Sequence, residues 1–100
     1  MEYEFTTGLA WYHKEQWDKV RANSTDRANM EEKYEDWEAN ASALVAKMEA
    51  NGKQKVHRVY IDVDMLLAWC RRKGIPVDGY ARSRYVNHLM ASHIGRTEDI

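Results

Sequence analysis

Cysteine, proline and phenylalanine each occur once in this chain of 100 residues, at Cys70, Pro76 and Phe5. A single thiol excludes an internal disulfide and fits a reducing compartment. No window approaches 18 consecutive apolar residues, so no membrane-spanning helix is expected. Bulk charge is also missing. Fifteen Lys and Arg against 16 Asp and Glu leave a net charge of −1, which supplies no general drive toward nucleic acid or an anionic membrane. The first ten residues, MEYEFTTGLA, carry acids where a signal peptide needs bases and lack an apolar run, so the expected location is cytoplasmic. Zinc-finger, EF-hand and phosphate-loop spacings are absent, as are internal repeats and low-complexity segments.

What is present is the composition of a globular domain, 44% hydrophobic and 31% charged, which argues against general disorder. One domain over residues 1–94, followed by a polar tail at 95–100, is the expected organisation. A chain of this size buries roughly two thirds of its unfolded surface, enough for independent stability with little in reserve. Four Trp and six Tyr make the core aromatic, and their polar tips suit a core close to the surface or an interface. Charge is unevenly distributed. Residues 26–50 hold seven acids and three bases, whereas residues 53–96 hold nine bases and three acids (Asp62, Asp64 and Asp78). That asymmetry suits a basic binding face, two mutually attracting halves, or head-to-tail pairing of two copies.

Hydrophobic periodicity divides the chain into six elements. Residues 2–6 alternate weakly, with Tyr3 and Phe5 on one face of a strand. Residues 9–23 read as a helix from His13 at the latest, with His13, Trp17 and Val20 on one side. Ser24, Thr25 and Asp26 can cap a second, long helix over 27–51. Its stripe is Met30, Tyr34, Trp37, Ala41, Leu44 and Met48, and Gly52 ends it. Residues 55–63 alternate as a half-buried strand with His57, Val59, Ile61 and Val63 inward. Asp64 is the expected N-cap of a short helix closed by Gly74. Pro76 blocks continuation, and Asp78 caps a last helix over 79–92 that buries Ala81, Tyr85, Val86, Leu89 and Met90. The expected fold is therefore α+β: a helix-rich small single domain with a minor two-stranded sheet and about four helices. The strong strand cannot stand alone, so it pairs with residues 2–6 or with its own copy in a homodimer.

HKEQWDKV (13–20), YEDW (34–37) and VDMLLAWCRRKGIPVDGYARSRYV (63–86) together resemble a group of small stand-alone bacterial proteins. That group carries an E-Q-W helix, an aromatic-x-x-Trp helix, a strand, a W-C-x-x-x-G-x-P turn and a helix containing A-R. The resemblance spans most of residues 11–90 and implies a compact cytosolic bacterial α+β domain. It implies no activity, cofactor or substrate, so no residue role follows from it.

Reactive constellations are sparse. Arg71 and Arg72 beside Cys70 could lower its pKa, but none of His13, His57, His88 and His93 stands at a catalytic spacing from it, and a cysteine in mid-helix is ordinarily a packing residue. His88 and His93 are five apart, whereas adjacent-turn metal ligands want three or four. Asp62 and Asp64 share a strand face, but Asp64 is spoken for as a cap. The last two helices invite a helix-turn-helix reading with Arg82, Arg84 and His88 exposed. Against it, GIPVDG exceeds the tight turn of that motif, and the acidic long helix repels phosphate. By period, Trp17 and Trp37 are core residues, which leaves Trp11 or Trp69 as the exposed aromatic beside arginine that makes an interaction hot spot. The candidate interaction residues are thus Trp11, Trp69, Arg71, Arg72, Arg82 and Arg84; no catalytic, metal or cofactor residue is assigned. The expected function is a non-enzymatic cytoplasmic protein–protein interaction or regulatory module, acting as a homodimer with a further protein partner. A small nucleic-acid-binding regulator using the basic C-terminal helices ranks second, and a cysteine- or metal-dependent enzyme third.

Overall fold

The computed structural model describes residues 5–97, with side chains placed from 6 to 91. In chain order the elements are β1 (Phe5–Trp11), α1 (Lys14–Ala22), a 3-10 turn (Arg27–Asn29), α2 (Tyr34–Glu49), β2 (Gln54–Tyr60), α3 (Val63–Lys73) and α4 (Gly79–Thr97). Four α-helices and a two-stranded sheet among the described residues make the fold α+β. The strands run parallel in a register from Phe5 opposite Gln54 to Trp11 opposite Tyr60. The Ile61 N–H extends the ladder by donating to the Trp11 carbonyl at 2.9 Å. Parallel pairing requires a crossover of a dozen residues or more. Here α1, the 3-10 turn and α2 make it.

The sheet is the middle layer of three. Leu9, Trp11 and Val56 meet Trp37, Ala41, Val45 and Met48 of α2 on one face. On the other face Gly8 lies under Val86 and Met90 of α4, and Ala10 and Val59 join the main core. That core gathers Tyr12, Trp17, Val20, Ile61, Val63, Leu66, Trp69, Cys70, Ala81, Tyr85 and Val86. Trp37 packs against both clusters. Its ring centroid lies 5.0 Å from those of Trp11 and Trp17 and 5.4 Å from those of Tyr12 and Tyr34.

Several boundaries differ from the sequence expectation. The strand expected over residues 2–6 begins at Phe5 and continues to Trp11; residues 2–4 lie outside the described residues. Strands covered on both faces lose the period-two signal, which is why 9–11 read as helix. Of the residues expected inward in β2, His57 is exposed, Val59 packs on the main core, and Ile61 and Val63 are buried beyond the strand's end, while Val56 is buried on the opposite face against α2. The long helix starts at Tyr34 instead of residue 27. The Trp17 indole N–H donates to the Glu31 carbonyl at 3.1 Å, occupying an acceptor that a continuous helix would have used internally. The Tyr34 hydroxyl donates to the Tyr12 carbonyl at 3.0 Å and fixes the new start. Within α2, Val45 is the buried residue and Leu44 is 46% exposed, one position off the expected stripe.

The caps show the same mixture. Asp62, not Asp64, caps α3: its Oδ1 accepts the Met65 N–H at 3.2 Å, while Asp64 pairs with Lys19. Gln16 adds a second cap from α1, its Oε1 accepting the Val63 N–H at 3.1 Å. Gly74 (φ 68°) closes α3 and Gly52 (φ 74°) follows α2, both in the left-handed conformation expected of them. Asp78 caps α4 as expected, accepting the Ala81 N–H at 2.9 Å. That helix runs to Thr97, past residue 92 and into the stretch read as a polar tail.

Trp37→Ala should cost about 3–5 kcal/mol, since it removes the ring that four other aromatics contact; a melting temperature within a degree or two of the parent would contradict this. Gly8 is a position of close approach. A methyl carbon there would lie 2.8 Å from Val86 Cγ1 and 3.0 Å from Met90 Cγ. Gly8→Ala should therefore lose about 1–3 kcal/mol by overpacking, more than the ~0.5–1 kcal/mol that alanine gains over glycine in a strand. In a double-mutant cycle with Val86→Ala the combined loss should fall short of the sum.

Candidate functional site

Residues at spacings of three and four stack on one side of a helix. On α3 this aligns Met65, Trp69, Arg72 and Lys73, and on α4 it aligns Tyr80, Arg84 and His88 beside the buried Ala81 and Tyr85. The two ridges enclose a surface groove of about 170 Å³ lined by Met65, Trp69, Arg72, Tyr85, His88 and Leu89, among others. The floor is aromatic: Trp69 lies 5.3 Å from Tyr85 and 5.9 Å from His88, centroid to centroid. Cations frame it. Lys73 Nζ and Arg84 Cζ each lie 5.6 Å from the Trp69 ring centroid, and Arg84 is also 5.6 Å from that of Tyr80. Large apolar surface is left uncovered beside these charges, with Met65 60% and Tyr80 71% exposed. Among the described residues, no carboxylate forms a salt bridge with Arg71, Arg72, Lys73 or Arg84. Burial first, and then the charge of Asp62, push the Tyr85 phenol upward, while Arg72 pulls it back.

Of the residues singled out from sequence, Trp69, Arg72 and Arg84 come together at this groove. Arg71 points instead toward a second groove with Cys70, Ile75 and Val77. Trp11 and Trp69 are both buried, at 3% and 5% exposure, so neither is the exposed tryptophan that was expected. Trp11 belongs to the smaller core under the Arg58 guanidinium, 4.7 Å from its ring centroid, away from the groove. Arg82 is not on the open side of α4. Its guanidinium donates to both carboxylate oxygens of Asp26, at 3.0 and 2.8 Å, and to Ser24 Oγ at 2.9 Å. Met65, Lys73 and Tyr80 were missed. The signal for each was an i, i+4 relation: Met65 and Lys73 to Trp69, and Tyr80 to Arg84.

The helix-turn-helix arrangement is weakened by this geometry. Five residues, 74–78, separate α3 from α4, and one of the three side chains expected to face outward, Arg82, is bound internally. Cys70 is buried in the main core, and burial followed by the charge of Asp78 pushes its thiol upward, away from thiolate reactivity. Among the described residues no group of three or more His, Cys, Asp or Glu side chains converges, and no helix is long and apolar enough to cross a membrane. Comparison with protein-family models, curated proteins and solved structures finds no match to the chain.

The Arg82–Asp26 pair ties the start of α4 to the loop after α1. Asp26 also accepts the Gly79 N–H at 3.1 Å, so a single carboxylate holds both the first residue of α4 and its fourth. The Thr25 N–H donates to the Val77 carbonyl at 2.8 Å beside it. Tyr12 lies beneath, its phenol pushed up to about 12 by burial, which Arg82 opposes and Asp26 reinforces. Chiefly the Arg82 hydrogen bond holds the Asp26 carboxyl below its ordinary value. A depressed folded-state pKa contributes stability that is present above the ordinary carboxylate range and is lost as pH falls through the folded value. Unfolding free energy should therefore fall with acid below about pH 4. Asp26→Asn should lose about 1.5–3 kcal/mol at neutral pH, with a shallower acid limb; an unchanged pH profile in denaturant titrations would contradict the assignment.

Proposed function

We propose that this chain is a non-enzymatic protein–protein interaction module whose contact face is the groove between α3 and α4. One observation carries the reading: exposed Met65 and Tyr80 stand beside a tryptophan framed by cations that have no carboxylate partner among the described residues. Aromatic and arginine side chains around a small apolar pocket are the usual anchors of protein interfaces. The buried Cys70, with its thiol pushed upward, gives the enzyme reading no support.

A homodimer belongs to the same proposal. The two-stranded sheet leaves an outer edge on each strand. On β2 the Val56 N–H donates to the Glu49 carboxylate at 2.8 Å, so that edge is partly taken. The outer edge of β1 has no charged residue over Phe5–Trp11 to guard it. A bacterial, cytoplasmic setting is supported by the resemblance over residues 11–90 and by the single thiol. The second reading, nucleic-acid binding, draws on the same free cations.

Peptides selected from a random library against the whole chain should protect the amides of 65–73 and 80–89 from hydrogen exchange; protection confined to other elements would refute the contact face. In a gel-shift salt series, retention of an oligonucleotide that weakens steeply with salt would favour the second reading. Light scattering over a hundredfold concentration range should give the dimer mass, and a monomer mass throughout would remove that part of the proposal.

A further inference from the structure

The chemistry of the α3–α4 groove goes further than the existence of an interface. Arg72 lines a groove of about 170 Å³, and Lys73 and Arg84 lie over the ring of Trp69, which forms part of its wall. That volume corresponds to on the order of five waters, room for one branched aliphatic side chain and not for a folded surface. The walls that such a side chain would touch are apolar: Met65, Leu89 and the Trp69 edge. Both Trp69 cations lie within cation–π distance of the ring, and the residue is only 5% exposed, so its face is unavailable as a stacking platform for a nucleobase. The cations call for an anion of either kind, and the apolar pocket beside a covered Trp69 face suits the aliphatic side chain and carboxylates of a peptide better than the bases of a single strand. Asp62, whose charge reaches Tyr85 as that of Arg72 does, is engaged as the cap of α3.

We propose, resting on the interaction-module reading above, that the groove takes an acidic peptide segment: one aliphatic anchor between Met65, Trp69 and Leu89, flanked by carboxylates that pair with Arg72, Lys73 and Arg84. The anchor supplies apolar burial, and the guanidinium groups donate to carboxylates in bidentate geometry. Because these pairs are solvent-exposed, binding weakens as salt rises.

The test uses the full chain and three fluorescein-labelled probes in anisotropy titrations: a twelve-residue Glu/Ser peptide with one central Leu, the same peptide with Gln for every Glu, and a dT12 single strand. The acidic peptide should bind at least tenfold more tightly than the Gln peptide. Arg72→Glu combined with Arg84→Glu should abolish that preference, and Met65→Asp should weaken binding at least tenfold. Thermal melts of the variants verify folding, and Lys73→Glu, at an exposed position, is an independent variant expected to act in the same direction. Equal binding of the two peptides that Met65→Asp still removes would overturn the acidic assignment and leave the interaction face standing. Binding of neither peptide at millimolar concentration, or binding indifferent to all these substitutions, would overturn the acidic assignment together with that face. Tighter binding of dT12 than of the acidic peptide would overturn it in favour of nucleic acid.

Discussion

The structure depends on one ring. Trp37 contacts Trp11, Tyr12, Trp17 and Tyr34 with centroid separations of 5.0 to 5.4 Å, and among the described residues it alone packs on both the main core and the smaller cluster beneath α2. Tilted and edge-on aromatic pairs contribute about 0.5–1.5 kcal/mol beyond area burial, so several pairs meeting at one side chain form a substantial share of a marginal total. The partners come from β1, its exit, α1 and the start of α2. Tertiary structure in the first half of the chain is in effect organised around position 37.

That hub explains how so small a sheet survives. Two parallel strands have no independent stability, and parallel sheets persist where both faces are covered. Here α2 covers one face through Trp37, Ala41 and Val45, and α4 covers the other through Val86 and Met90. Glycine at position 8 sets how closely α4 can lie, because any β-carbon would intrude on Val86. With α4 seated against β1, its next face meets α3, and the groove between them is a consequence of that seating.

Electrostatics separates structural from available cations on the same helix. Arg82 and Arg84 are two residues apart and therefore point to different sides of α4. Arg82 turns toward the loop after α1 and is neutralised by Asp26 with its side chain 14% exposed. Arg84 turns toward Trp69 and Tyr80 and keeps its charge for whatever approaches. The acid-rich half of the sequence does face the basic half, as the charge asymmetry allowed, but through one half-buried carboxylate and not through the α2 surface, where Glu35 pairs with Lys14 of α1.

Sequence alone determined the features set by neighbouring residues: the helices closed by Gly52 and Gly74, the Asp78 cap, the apolar side of α4, the burial of Trp17, the packing of a half-buried Trp37 against the core, and the α+β class. Each follows from local conformational preference or from a helical period that one element carries by itself. Partner-dependent features were not legible. β1 extends to Trp11 because β2 pairs with it, and cover on both faces erases the alternation that would mark it. The long helix breaks before Tyr34 because Trp17 takes the Glu31 carbonyl. Arg82 and Arg84 look alike as sequence, and only the position of Asp26, 56 residues away, decides which of them is free. The physical reason is common to all three. A hydrogen bond or ion pair between distant residues leaves no trace in the local pattern of either, so only the packed chain could assign them.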